Sequence, residues 1–247
     1  MRTKGLSGFT LCIIAMVTML LDHSYIALFR GANYLNYIGR VSFPIFAYLL
    51  VEGYYNTGSR IKYALRLFIF ALISEIPFNL LIAQSINFKE HQNVMFELLF
   101  GIIVLSANTS LIEGISSGRL FKVVMGALVM LLSFTTSYIY SFDYSCYGLA
   151  LIILFAISRD FKYSKLIQLI GMVGIFIVWY TGIGWTLNIG NFCIYLPRQS
   201  LCILSLPLIW LYNGERGYAS NHFKYMKYSF YPLHLIILYI LREVFIV

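Results

Sequence analysis

Residues Met16 to Tyr25 read Met-Val-Thr-Met-Leu-Leu-Asp-His-Ser-Tyr, and they decide how the rest of the chain is interpreted. They lie within an apolar segment, residues 9–29, that is long enough to cross a bilayer. The stretch places Asp22 and His23 where hydrocarbon is expected. An ionisable residue inside a membrane span costs about 2.5–3.5 kcal/mol on insertion scales, so the pair indicates a functional site.

The composition extends this membrane interpretation to the whole chain. Of 247 residues, 60% are apolar and only 11% are charged, and the mean hydropathy is +0.79. Soluble domains average about 45–50% apolar and about 25% charged residues. Only helices and closed barrels span bilayers, and the apolar runs here are continuous rather than alternating. The sequence therefore predicts an all-α, polytopic membrane bundle that forms one domain over residues 1–247, with no soluble domain.

The apolar runs predict nine transmembrane helices. They lie at about residues 7–29, 36–55, 63–84, 93–107, 119–140, 144–158, 165–183, 191–212 and 228–246. The spans at 93–107 and 144–158 are short for a hydrocarbon core of about 30 Å at a rise of about 1.5 Å per residue. Two explanations stay open for them: tilted helices in a thinned region, or broken helices of the kind that mark binding sites.

The distribution of Lys and Arg predicts the orientation. With a cytoplasmic N-terminus, 13 of the 18 basic residues fall on the inner side and five, Arg30, Arg40, Lys89, Arg198 and Arg242, on the outer side. Basic residues favour cytoplasmic loops, so the N-terminus is expected inside and the C-terminus outside. The inner set is Arg2, Lys4, Arg60, Lys62, Arg66, Arg119, Lys122, Arg159, Lys162, Lys165, Arg216, Lys224 and Lys227.

The same bias explains the net charge of +8 without nucleic acid, since no basic face with interleaved aromatic residues stands out. The four cysteines have none of the spacings of metal or redox sites, so neither a structural metal nor a disulfide is expected. The first apolar segment ends without a small-residue cleavage pattern. It is therefore expected to remain as the first helix.

Asp22 and His23 are neighbours, so on a helix their side chains point about 100° apart and do not pair. Asp22 is expected to meet Arg40 at the outer end of the next antiparallel helix, while His23 faces a polar cavity. There a neutral imidazole would act as a general base. Two simpler alternatives remain: an interfacial histidine, and an arginine that reaches the outer headgroups.

A second polar group follows later in the chain. Glu75 stands beside Pro77 in an apolar run, where its carboxylate requires a neighbouring Arg or His, or protonation. His91-Gln92-Asn93 comes at the outer membrane edge, and its alternative interpretation is a polar loop that caps the fourth helix through Asn93.

Toward the inner side, Glu52 is expected to pair with Arg66. Tyr231 opens the last span, and His234 either lines a route from the cytoplasm or lies at the interface.

Several of these pieces recur together in one known family. The chain resembles the TraX family, membrane proteins associated with N-terminal acetylation of F-type pilin. Residues 106–139 carry little of the resemblance. The matching pieces are Leu21-Asp22-His23, Gly39-Arg40-Val41-Ser42-Phe43-Pro44, Val51-Glu52-Gly53-Tyr54, Arg66, Ser74-Glu75-Ile76-Pro77-Phe78-Asn79, His91-Gln92-Asn93, Asp143-Tyr144, Tyr212-Asn213-Gly214 and Tyr231-Pro232-Leu233-His234.

The resemblance implies a transmembrane-acyltransferase-like bundle in the bacterial cytoplasmic membrane. Acetyl-CoA would be the acyl donor, and an amine of an exported protein, peptide or glycan the acceptor. The implied catalytic residues are Asp22, His23, Arg40, Glu75 and His91. The implied substrate- or cofactor-binding residues are Glu52, Arg66, Gln92, Asn93, Tyr231 and His234.

Within that resemblance His23 would remove a proton from the attacking amine, although His91 remains an alternative base. Arg40 or a neighbouring donor would stabilise the oxyanion, while Asp22 and Glu75 hold Arg40 and His91. Arg66, with nearby Lys62, would meet the CoA phosphates. No nucleophile with a base at a clear spacing is present, which favours direct transfer over an acyl-enzyme.

Other classes of function remain open from the sequence. A transporter or flippase would also keep charged residues and prolines at mid-depth. A non-catalytic scaffold would bind a pilin or peptide within the bilayer. A metal enzyme using His23, His91 and Glu75 is the least favoured of these readings, so no metal is expected. The oligomeric state is left open.

Overall fold

The computed structural model describes residues 4–86, 91–190 and 192–245. Arg2 and Lys89, both used to predict orientation, lie outside the described residues. The described chain forms two compact units: one comprises its residues up to 46, those from 158 to 230 and those from 237 onward, and the other its residues from 47 to 157 and from 231 to 236.

Helix α1 runs from Gly8 to Ala27 and confirms the first predicted span. Ser7 caps it, because its Oγ accepts a hydrogen bond from the backbone N–H of Thr10 at 3.2 Å. The segment before it is held by residue Leu6, whose N–H donates to the carbonyl of Leu211 at 2.7 Å. The start of the helix is thus fixed by both a cap and a strand-like contact.

The second predicted span, residues 36–55, is wrong as a single helix. Helix α2 occupies Asn33–Gly39, and α3 occupies Ser42–Asn56. Arg40 and Val41 lie between them. A side-chain hydrogen bond accompanies this break. Ser42 Oγ donates to the carbonyl of Ala15 on α1 at 2.8 Å, which fixes the start of α3.

The second unit is built on three long helices, α4 (Arg60–Ala83), α5 (Val94–Ser116) and α6 (Leu120–Ile139). Pro77 lies inside α4 without ending it. A Cβ at Gly126 would lie 2.8 Å from the carbonyl oxygen of Ala107, so α5 and α6 approach closely where glycine occurs.

The prediction of a short span at 93–107 is wrong, because α5 continues for 23 residues. Polar residues beyond Leu105 interrupt the apolar run but not the helix. Thr109 Oγ1 donates to the carbonyl of Leu105 at 2.9 Å, which satisfies the hydroxyl within the helix itself. Helix α7, Ser145–Ser158, is short as predicted.

Helix α8 covers Ser164–Val173 and continues as a π-helical turn over Gly174–Trp179. The predicted span at 191–212 is wrong as a single helix, because its first part is a strand. An antiparallel hairpin of β1 (Gly184–Ile189) and β2 (Phe192–Pro197) follows instead, with Gly184 opposite Pro197. Gly190 at the turn has φ of +61°, a conformation that favours glycine.

A 3₁₀ helix, Arg198–Ser205, leads from the hairpin into α9, Leu206–Trp210. The chain ends in α10, Asn221–Phe245, which contains Pro232 and covers most of the last predicted span. Short apolar runs of aromatic and β-branched residues suit a strand as well as a helix, and this ambiguity explains the error at the hairpin.

Within the described chain, four helices are long and apolar enough to cross a membrane: α1, α4, α5 and α6. Helices α7 and α8 with its π-helical extension are apolar but shorter. The chain is thus mostly helical with several candidate membrane spans. The count of nine spans and the orientation stay predictions.

Candidate active site

An ion pair between α1 and the end of α2 forms the centre of the candidate site. Arg40 Nη2 donates to both carboxylate oxygens of Asp22, at 2.6 Å to Oδ1 and 2.7 Å to Oδ2. Asn36 Nδ2 donates to the same Oδ1 at 2.7 Å. The predicted Asp22–Arg40 pair is confirmed. Asn36 was not predicted, although its position four residues before Arg40 puts both on one face of α2.

Glycine at position 39 permits this pair. A Cβ there would lie 2.6 Å from Asp22 Oδ1, closer than any real Cβ contact. Gly39 is itself buried and ends α2. The backbone of α2 at Gly39 therefore lies directly against the Asp22 side chain of α1. The Gly39-Arg40 dipeptide therefore supplies both the space for Asp22 and its cationic partner.

The 3₁₀ helix adds a third element to the site. Arg40 Nη1 donates to Gln199 Oε1 at 2.9 Å, and Arg40 Nε donates to the carbonyl of Asn36 at 3.4 Å. Gln199 is buried, and its Nε2 has no hydrogen-bond partner among the described residues. Sequence reasoning missed Gln199. A glutamine beside Arg198 in an apolar segment was the available signal.

Aromatic side chains lie next to this element. The guanidinium of Arg198 is 5.9 Å from the ring centroid of Tyr37 on α2, and that ring meets Trp185 of β1 edge to face at 5.3 Å. Arg198 Nε is buried and has no hydrogen-bond partner in the described chain. The hairpin and α2 thus flank the ion pair with two rings and a second arginine.

His23 belongs to the same unit as the ion pair. It follows Asp22 directly on α1, and its side chain is only 7% exposed. Burial agrees with a residue that faces the protein interior rather than the headgroup region. Its role as a base stays a prediction.

Glu75 belongs to the other unit and has a different partner from the one expected. Asn93 Nδ2, not an arginine or histidine, donates to Glu75 Oε2 at 2.6 Å. The same amide group donates to the carbonyl of Ala71 at 3.0 Å, and Asn93 Oδ1 accepts from the N–H of Met95 at 3.1 Å. The N-cap alternative for Asn93 is confirmed, and this side chain holds α4 against the start of α5.

The neighbours of Asn93 contribute in other ways. His91 is exposed, and the backbone N–H of Gln92 donates to the carbonyl of Ser141 at 3.3 Å in a bridge beside Phe142. The expectation that Glu75 holds His91 is not supported, because Glu75 is engaged with Asn93. Catalytic or binding roles for His91 and Gln92 stay predictions.

The residues predicted on the inner side also lie in the second unit. The guanidinium of Arg66 is 5.7 Å from the ring centroid of Tyr63, and Arg66 Nε has no partner among the described residues. Pairing of Arg66 with Glu52 stays a prediction. Tyr231 and His234 are both buried, with their rings edge to face at 5.6 Å, and the two alternatives for His234 both remain open.

Two further features of this unit were not predicted as sites. Glu97 is fully buried and faces the backbone N–H groups that begin α7, with no well-formed hydrogen bond to either oxygen in the described chain. A groove of about 380 Å³ between α4, α5 and α6 contains Arg60, whose guanidinium lies 4.2 Å from the ring centroid of Tyr54.

The described residues contain no group of three His, Cys, Asp or Glu side chains arranged to hold a metal ion. His23, His91 and Glu75, the candidate ligands of the metal-enzyme alternative, therefore do not form such a group. The candidate site in the first unit instead consists of one carboxylate, one guanidinium and amides.

Comparisons with known proteins agree with the resemblance drawn from the sequence. The sequence model of the TraX protein family matches residues 7–242. The probable fimbrial assembly protein FimC, serogroup H1, of Dichelobacter nodosus is 26% identical over 250 residues, and the alignment covers 96% of each protein. No solved structure matches the chain. Because the family match covers nearly the full length, this chain belongs to the TraX family.

Proposed function

We propose that this protein is a membrane-embedded N-acetyltransferase that transfers the acetyl group of acetyl-CoA to an amine of an exported protein or peptide. The observation that carries the proposal is the Asp22–Arg40–Gln199 chain of hydrogen bonds, in the same unit as the buried His23. A half-buried cluster of charged and amide groups that includes Asp22, on the same helix as a buried histidine, suits acyl transfer, which needs a base and a positive electrostatic environment.

In the proposed reaction the amine nitrogen attacks the thioester carbonyl carbon, and His23 removes a proton from that nitrogen. The carbon–sulfur bond then breaks, and the thiolate of CoA leaves and takes the proton from the imidazolium. At the end of the reaction the acetylated amine, the thiol of CoA and the His23 imidazole are all neutral. No acyl-enzyme forms, so the enzyme needs one base and a means of holding the carbonyl oxygen.

Arg40 acts in this scheme as a fixed positive charge. Both Nη2 hydrogen bonds go to Asp22, one from Nη1 goes to Gln199, and Nε bonds weakly to Asn36. A guanidinium engaged so fully is a positioning residue rather than a mobile ligand for the substrate. Its charge nevertheless favours the oxyanion that develops during attack.

For the donor, we propose the cationic first half of α4. Arg60 and Lys62 are exposed and Arg66 is half-buried, with an Nε that lacks a partner in the described chain. Phosphates prefer such groups, because charge-assisted hydrogen bonds are about twice as strong as neutral ones. Substitution of Arg66 by Gln is expected to raise the KM for acetyl-CoA without changing kcat.

For the acceptor, the similarity to a probable fimbrial assembly protein of Dichelobacter nodosus supports a subunit of a surface fibre. The N-terminal amine of a pilin-like protein is the acceptor that we propose. Sugars and lipid amines are tested as alternatives in the same assay.

The test is acetyl-CoA turnover by purified protein in nanodiscs, measured as thiol release with peptides that have a free α-amino group. Peptides already N-acetylated serve as the acceptor control, and Cys146→Ala is the control variant. Loss of turnover in His23→Ala but not in His91→Ala supports the proposal and assigns the base. A folded protein that does not bind CoA contradicts it and favours a transporter.

A scaffold makes the opposite prediction in cells. His23→Ala would then leave fibre assembly intact, and mass spectrometry would find the same N-terminus on the fibre subunit in both strains. An unmodified N-terminus in His23→Ala cells, against an acetylated one in cells with the original chain, distinguishes enzyme from scaffold.

A further inference from the structure

Gln199 is oriented by Arg40 in only one way. The guanidinium has no acceptor, so the amide presents Oε1 to Arg40 Nη1, at 2.9 Å, and its Nε2 necessarily faces elsewhere. That nitrogen is buried and has no hydrogen-bond partner among the described residues. A side chain with one end fixed by an ion pair thus offers two unmatched N–H groups at the other end.

An unmatched buried donor is costly to keep. The desolvation of such a group typically costs about 1–3 kcal/mol, and buried polar groups without partners are uncommon enough to need an explanation. Arg198 Nε, on the preceding residue, is a second buried donor without a partner in the described chain. Two consecutive residues of the 3₁₀ helix therefore each have a buried donor without an acceptor in the described chain.

The ion pair beside the amide is partly exposed, whereas the amide nitrogen is enclosed. The side chain of Arg40 is 20% exposed and that of Asp22 is 14% exposed, so the ion pair is reached from outside. The amide nitrogen itself is shielded from bulk water. Such shielding strengthens a donor toward a developing negative charge, because water does not compete for the oxygen.

We propose that Gln199 is a catalytic residue whose Nε2 donates a hydrogen bond to the carbonyl oxygen of the acyl group. This inference rests on the proposed function. When the amine attacks, the carbonyl electron pair moves to the oxygen, and Nε2–H stabilises the resulting charge until the carbon–sulfur bond breaks. Arg40 withdraws electron density through Oε1, which strengthens the amide as a donor.

Arg40 and Gln199 thus have separate roles, where the family resemblance implied one oxyanion donor, Arg40 or a neighbouring group. Arg40 positions and polarises the Gln199 amide, whereas Gln199 contacts the reacting oxygen. Asp22 accepts the hydrogen bonds of one end of the Arg40 guanidinium, and Gln199 accepts a hydrogen bond from the other end. The hairpin then has a function as well, since it leads directly into the residue that holds the substrate.

The matched comparison is with Gln168, a buried glutamine of the same unit whose two ends are satisfied. Its Nε2 donates to Ser158 Oγ at 3.2 Å, and its Oε1 accepts from Trp210 Nε1 at 2.8 Å. Glutamate at either position keeps the shape and the acceptor oxygen but removes the donor. Loss of the donor should affect structure at Gln168 and chemistry at Gln199.

The experiment measures kcat, the KM for acetyl-CoA and the unfolding temperature of Gln199→Glu and Gln168→Glu in nanodiscs. Gln199→Glu is expected to lower kcat by about 10²–10³-fold, the range for loss of one oxyanion donor, with little change in KM or unfolding temperature. Gln168→Glu is expected to lower the unfolding temperature. Its kcat, measured at a temperature where the variant is folded, is expected to be unchanged.

An unchanged kcat in Gln199→Glu overturns the role of Gln199 while the acetyltransferase proposal stands. Absence of acetyl transfer by the original protein overturns the proposed function, and the role of Gln199 falls with it. Should Gln199→Glu not fold, Gln199→Met, which is uncharged and similar in length, has the same expected loss of kcat. An active Gln199→Met then overturns the inference.

Discussion

A single guanidinium nitrogen, Nη2 of Arg40, donates to both carboxylate oxygens of Asp22, at 2.6 and 2.7 Å. The two residues come from different helices, and both side chains are mostly enclosed. The second guanidinium terminus, Nη1, is directed to Gln199. The ion pair therefore joins α1, the end of α2 and the 3₁₀ helix through one side chain, which makes Arg40 the residue on which their arrangement depends.

Arg40→Gln is expected to destabilise the protein by leaving the Asp22 carboxylate without its cation. Removal of one partner of a buried pair costs about 3–5 kcal/mol, and partial exposure of this pair places the expected loss below that range. Unfolding in detergent measures the loss. The double variant Asp22→Asn/Arg40→Gln is expected to be more stable than the sum of the single losses implies, and strict additivity would contradict coupling.

Gly39→Ala is expected to separate Asp22 from Arg40 by steric conflict, since a Cβ would lie 2.6 Å from Asp22 Oδ1. Overpacking of this kind typically costs about 1–3 kcal/mol, and acetyl transfer should fall with it. Gly31→Ala is the matched control in the same unit, because nothing lies within 4 Å of its Cβ position. Equal unfolding temperatures for the two variants would show that α1 and α2 adjust freely.

The parts of the site that the sequence predicted are those where a charge required a partner. Asp22 and Arg40 are opposite charges in successive apolar segments, so their pairing follows from the cost of an isolated ion in a membrane span. Gln199 gives no such signal. It is neutral, and it lies 159 residues from Arg40 along the chain, so only the folded structure brings the amide to the guanidinium.

The fold was predictable where apolar runs are long and ambiguous where they are short. Helices α1, α4 and α6 follow their apolar runs closely, whereas the hairpin at 184–197 had the composition of a span. Helix α5 is longer than the apolar run at 93–107 predicts, because the helix continues through polar residues. Thr109 bonds to the helix backbone there, so polarity did not mark the end of the helix.

Asn93 provides a third prediction, because one amide both caps α5 and bonds to Glu75. Asn93→Ala is expected to cost about 1 kcal/mol for the cap, with a further loss for the contacts to Glu75 and Ala71. Asn93→Asp keeps the capping oxygen but places a second carboxylate beside Glu75. We expect it to be less stable than Asn93→Ala in thermal unfolding.

The matched control for this pair is Asn56→Ala, which removes an exposed asparagine whose Nδ2 donates to the carbonyl of Glu52 at 2.8 Å. A change within about 0.5 kcal/mol is expected there, as for most surface substitutions. If Asn93→Asp proved more stable than Asn93→Ala, the capping oxygen would outweigh the contact with Glu75, and the amide would not be the main link between α4 and α5.

The predicted orientation can be tested at Cys193, an exposed cysteine on β2. Cys12 and Cys202 are buried, so in a Cys146→Ala background Cys193 is the cysteine that a membrane-impermeant maleimide should reach. With the N-terminus cytoplasmic, the hairpin lies on the outer side. Labelling is therefore expected in intact spheroplasts, and Cys193→Ser in the same background should abolish it.

Labelling of Cys193 only after the membrane is permeabilised would reverse the predicted orientation. It would place Asp22, Arg40 and Gln199 toward the cytoplasm, because the hairpin leads directly into Gln199 and Gln199 bonds to Arg40. The acceptor amine would then have to be acetylated before export rather than at the outer face. Labelling in intact spheroplasts would mean that, in the proposed reaction, the acyl group crosses from cytoplasmic CoA to an acceptor on the outer side.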